Sequence, residues 1–178
     1  MISCRNAFSK SLASLALVIA SAMLADCSVA QGSSAKDMYS LAINGFNYTD
    51  LGIELFYVDG TGGGPLAVST ETSGGGSTTC CYRTYLQVAL KRPIEIEWAR
   101  SINGKYRWCK KTVLMTGPLP EDPTNLGVHF MPDGNIIVRA THWYPDLLLR
   151  LKQFDDGKRK ESGNVVHDEE VAQCSDTQ

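Results

Sequence analysis

Beyond about residue 37, no stretch of this 178-residue chain keeps a helical period for three turns. Short β-type runs broken by turn residues fill the chain instead. Tyr39, Leu41 and Ile43 alternate, Ile53 to Val58 is apolar and β-rich, and Leu66 to Ser69, Tyr85 to Leu90 and Ile94 to Trp98 follow at close spacing. Glu95 to Val113 reads as a hairpin around Ser101-Ile102-Asn103-Gly104. A second hairpin joins Leu126–Phe130 to Ile136–Ala140 through Met131-Pro132-Asp133-Gly134-Asn135, where proline fixes φ and glycine accepts a positive φ. One short helix has room to start around Pro145, within Tyr144 to Lys152. The expectation is an all-β fold: a β-sandwich or open barrel of about eight short antiparallel strands.

Two glycine runs interrupt this pattern, Gly60-Thr61-Gly62-Gly63-Gly64-Pro65 and Thr72-Ser73-Gly74-Gly75-Gly76-Ser77, the second leading into the vicinal pair Cys80-Cys81. Neither run carries a Gly-Lys-Ser/Thr ending or a dinucleotide fingerprint, so a phosphate loop is rejected and the runs are read as long hairpin loops.

The first residues read as an export signal, with Arg5 and Lys10 before an apolar run from Leu12 to Leu24. That run is short for a membrane span. Two cuts compete at its end. Leu24-Ala25-Asp26-Cys27 resembles a lipobox apart from Asp26 and would leave Cys27 as a lipid anchor, whereas Ser28-Val29-Ala30 offers an ordinary cut that releases a soluble periplasmic chain. With Cys27 lipidated, Ser28 behind it points to the outer membrane. The domain plan is therefore a signal over 1–26, a tether over 27–37, a β domain over 38–152 and an acidic tail over 153–178.

Of six cysteines, Cys4 leaves with the signal and Cys27 is lipidated or lost, so Cys80, Cys81, Cys109 and Cys174 remain. In an oxidising compartment they are expected to form disulfides. Adjacent cysteines in a strand point to opposite faces and a ring closed between them is strained, so each is expected to send its sulfur away, one to Cys109 and the other to Cys174, in either order.

A formal net charge of −2 without a basic cluster argues against nucleic acid. No Gly-x-Ser-x-Gly elbow is present, and His129, His142 and His167 are read as structural. Zinc held by Cys80, Cys81, His129 and His142 is set aside because zinc-binding cysteine pairs keep residues between them. No catalytic, cofactor or metal site is expected. Phe46, Tyr48, Phe56, Tyr57, Trp98, Trp108 and Trp143 are read as core.

Asn44-Gly45-Phe46-Asn47-Tyr48-Thr49-Asp50, the two glycine runs with Cys80-Cys81, Trp98, Cys109 and Val128-His129-Phe130-Met131-Pro132-Asp133-Gly134, in that order, resemble a family of Gram-negative lipoproteins of unknown function. The likeness spans about Ile43 to Ala140. The resemblance implies an association with immunity proteins that accompany type VI secreted lipase effectors, and so a non-enzymatic periplasmic inhibitor whose partner is such a phospholipase. On that reading the contacts are expected from Gly62, Gly63, Gly74 and Gly75 with Tyr82, Arg83 and Tyr85 nearby, Tyr and Arg being frequent hot-spot residues. The alternative is an envelope structural or ligand-binding lipoprotein with no toxin partner.

Overall fold

The computed structural model describes residues 38–152 and 168–176. The export signal, Cys27, the tether and His167 lie outside the described residues, as does most of the expected acidic tail.

Nine strands form one sheet: β1 (Met38–Asn47), β2 (Ile53–Val58), β3 (Thr61–Leu66), β4 (Gly75–Tyr85), β5 (Ile94–Ile102), β6 (Lys105–Val113), β7 (Asn125–Phe130), β8 (Ile136–Thr141) and β9 (Gln173–Asp176). Two four-residue helical turns accompany them, α1 (Leu86–Ala89) and α2 (Asp168–Val171). The spatial order is β8-β7-β1-β4-β3-β2-β5-β6-β9. The fold is all-β, a curled half-barrel. Both expected hairpins form, β5–β6 and β7–β8.

Neighbouring strands are antiparallel except β1 and β7, which run parallel, with Ile43 opposite Leu126 and Phe46 opposite His129. A parallel pair needs a long crossover. Here the crossover is the run β2 to β6, which carries the chain round the curve before β7 returns beside β1. The curl brings the far strands together: Met115, just past β6, bridges Val138 of β8, and the Lys111 ammonium donates to the Gly134 carbonyl at 3.2 Å.

Period-2 alternation decides what faces the concave side. In β5, Ile94, Ile96, Trp98 and Arg100 point in while Glu95 and Glu97 point out. Trp98 and Phe56 both meet Phe130 edge-on, at ring-centroid distances of 5.7 and 5.8 Å. Burying each such ring stabilises the fold by roughly 1.5–3 kcal/mol, and edge-on geometry suits the ring quadrupoles.

The glycine runs are partly strand rather than wholly loop: Gly62 to Gly64 lie in β3 and Gly75 and Gly76 in β4, while Gly60 is in a turn and Thr72 to Gly74 precede β4. Gly63 lies in β3 directly under the Phe56 ring, which a Cβ there would overlap. Gly75 opens β4 with φ +91°, and its Cβ would strike the Ala67 carbonyl. Removing side chains lets β3 and β4 come close where the sheet turns its corner, held by the single register pair Leu66 and Gly76.

A second, smaller apolar layer covers the outer face of β1 and β7. The segment 143–152 crosses that face, with Pro145 over Gly127 and Leu151 packed with Phe46 and Tyr48. The helix expected from Pro145 is not there. Its four crowded leucines cannot make one apolar stripe, and an irregular strap lets Leu147, Leu148, Leu149 and Leu151 all reach this layer.

Candidate functional site

Most of the polar residues that stand out in the sequence are committed to the fold. Asn47 accepts from the Thr49 amide and donates to the Leu51 carbonyl, which folds Asn47-Tyr48-Thr49 into a tight turn after β1. Arg100, 2 % exposed, reaches into this turn and donates to the Thr49 hydroxyl at 3.2 Å and the Leu51 carbonyl at 2.6 Å. Its Nε meets the Asp168 carboxylate at 2.6 Å, and the same oxygen accepts from the Trp98 indole at 3.1 Å. One guanidinium therefore ties the turn, the core and the C-terminal segment together. The expected acidic tail thus supplies part of the fold in residues 168–176, where Asp168 is buried and β9 pairs with β6.

His129 is buried against Phe46, with ring centroids 4.3 Å apart. Burial, with the nearby Arg139 charge, pushes its pKa down to about 3, so the ring is neutral. The Tyr48 hydroxyl accepts the Leu148 N–H at 2.8 Å and shares a hydrogen bond with His129 Nδ1 at 3.3 Å. Burial raises the Tyr48 pKa. His142 lies half-exposed against the Asp122 carbonyl. Among the described residues no cluster of three His, Cys, Asp or Glu is placed to hold a metal.

The cysteines pair differently from the expectation. Cys109 faces Cys174 across the β6–β9 ladder, with Cα atoms 4.0 Å apart, and the two are bonded. Cys80 is bonded to Cys81. Three strands separate β4 from β6, about 19 Å along the sheet, well beyond a disulfide's reach of about 7 Å between Cα atoms. The argument from alternation fails because the pair sits in a bulge. Leu41 pairs with Tyr82 and Ile43 with Thr79, so Cys80 and Cys81 together oppose Ala42 and are not held to opposite faces.

The expected contact residues are only partly on the surface. Gly63 and Gly74 are buried beneath Phe56 and Phe46, and Tyr82 is buried with its hydroxyl donating to Asp59 at 2.8 Å, so none of the three offers a contact surface. Burial, reinforced by Asp59, raises the Tyr82 pKa. Gly62, Arg83 and Tyr85 are exposed and Gly75 is half-buried; all four lie on the neighbouring strands β3 and β4, with Arg83 and Tyr85 at the opposite end of β4 from Gly75.

A different surface gathers aromatic groups. On the outer face of β2, β5 and β6, Leu55, Ala99 and Trp108 form one cross-strand row, and Tyr57, Glu97 and Lys110 the next. The Tyr57 and Trp108 rings lie 6.2 Å apart, and Tyr106 beside them is 51 % exposed. A groove of about 390 Å³ continues the face onto β9 between Glu97, Trp108, Lys110, Gln173 and Ser175. The signal was in β6: Tyr106, Trp108 and Lys110 alternate against Cys109, on the face opposite the core. Trp108 was read as core because large aromatics usually are. Trp143, read the same way, is 78 % exposed because it follows β8 and precedes the strap's first buried residue, Pro145.

The family model described as "Protein of unknown function (DUF3304)" matches residues 46–138, over half of the chain. The chain belongs to this family. No curated protein and no solved structure matches it. The DUF3304 span holds the Asn47–Thr49 turn, both glycine runs, the vicinal cysteines, Arg100, Cys109 and His129. Cys174, Asp168 and the strap, which complete the bonds of Cys109, Arg100 and Tyr48, lie beyond it.

Proposed function

We propose that this DUF3304 domain is a non-enzymatic periplasmic binding protein that recognises a protein partner, and that the partner is a type VI secreted phospholipase or lipase effector which it inhibits. The observation that carries the binding reading is the outer face carrying Leu55, Tyr57, Tyr106 and Trp108 with its groove, set on a sheet braced by a disulfide and a buried ion pair. Rigid Tyr and Trp rings are the chemistry of interface hot spots, and a stiff scaffold keeps the ordering cost of association low. The lipase partner comes from the motif resemblance. Export, and anchoring to the outer membrane through Cys27, would place the inhibitor beside the lipid it protects; release after Ala30 would leave it soluble in the periplasm.

The test is co-expression in the periplasm with a type VI secreted lipase effector from the same gene neighbourhood, whose absence there would already count against the reading. Protection from lysis and a complex on size exclusion are expected, both lost in Tyr57→Asp/Trp108→Asp with the far-UV spectrum unchanged. Continued lysis without a complex would reject the inhibitor and leave the envelope structural or ligand-binding lipoprotein. Ester turnover by the purified protein that disappears in His129→Ala would instead make it a hydrolase.

A further inference from the structure

The end of the sheet where the N-terminal chain enters carries its own apolar patch. Met38 opens β1 directly opposite Tyr85 at the end of β4, and the two are 58 % and 44 % exposed. Val88, 51 % exposed, follows on α1. β8 ends on the same side, and the exposed Trp143 follows it. Arg83 and Lys91 are exposed nearby and Arg92 pairs with Asp59 at 2.6 Å, while the exposed Asp122 and Asp146 lie on the Trp143 side.

We propose that this end of the domain rests on the anionic surface of a lipid bilayer. Two observations choose that occupant. Ten residues separate Cys27 from Met38, a span of under about 40 Å even when fully extended, so an anchored chain would bring this end to the membrane first. The chemistry also matches, because amphipathic Tyr and Trp with Met and Val suit the headgroup boundary, and the exposed Arg83 and Lys91 suit its negative charge. The inference rests on the export reading, and its tether argument on an anchored Cys27; it does not need the lipase partner.

The probe is the purified mature chain carrying Cys27→Ala, which bears no acyl chain, mixed with vesicles of phosphatidylglycerol and phosphatidylethanolamine. Co-sedimentation that weakens with salt is expected, and Met38→Ser/Tyr85→Ser/Val88→Ser should weaken it roughly tenfold. Should that variant misfold, Arg83→Glu/Lys91→Glu changes only exposed side chains and should abolish the preference for phosphatidylglycerol. No sedimentation at millimolar lipid, or equal binding by the charge-reversed chain, overturns the proposal. Both variants should still form the effector complex, so failure here and failure of the inhibitor reading can be told apart.

Discussion

The C-terminal segment and the strap both complete the family-matched sheet from outside it, but by opposite chemistry. Residues 168–176 are fastened by a disulfide, a four-residue ladder and a buried ion pair. The strap over β1 and β7 is held by apolar packing, by the Tyr48–Leu148 hydrogen bond and, at its edge, by Arg150 donating to the Glu71 carbonyl. Attachment by charge and covalent bond concentrates stability in a few atoms. Attachment by packing spreads it, and makes it depend on keeping one histidine neutral.

The largest effect should come from Asp168→Ala, which leaves Arg100 charged and buried; breaking such a pair costs about 3–5 kcal/mol, read from urea unfolding. A loss below about 1 kcal/mol would mean that the turn carbonyls alone satisfy Arg100. Next is Cys109→Ser/Cys174→Ser. Its bridge spans a sequence separation of 65, and opening it should cost about 2–4 kcal/mol. Cys80→Ser/Cys81→Ser is the control, since it encloses no loop and should move the midpoint far less.

The strap should answer to pH. His129 titrates near 3 when folded against an ordinary 6.5, so the unfolded chain takes up a proton first. Stability is full above 6.5 and falls as pH drops from 6.5 towards 3, by about 2 kcal/mol between pH 7.5 and 5. His129→Gln should flatten that part of the slope relative to the unsubstituted chain. The smallest effect is Tyr48→Phe, which removes the Leu148 acceptor for about 1 kcal/mol and should speed amide exchange in the strap more than in β9.

Strand content and both hairpins were legible because alternation and Pro-Asp-Gly or Asn-Gly turns are local signals. The strand glycines were not: glycine is depleted in strands, and its use in β3 depends on Phe56 lying over Gly63. The bulge at Cys80-Cys81 is invisible without its partner strand, since it exists only as two residues opposing Ala42. Residues 168–176 look too charged to fold alone, and they fold because Arg100 and Cys109 wait for them. The aromatic face was within reach, because Tyr106 and Trp108 share a parity opposite Cys109.

The pairing of β1 with β7 has a consequence for time. Asn44 bonds Asn125, 81 positions later, so the first strand made is central and has one edge unfilled until most of the chain exists. Contacts of such long range are slow to close. Until β7 arrives, that edge of β1 is an open template, so closing it is a late step of folding.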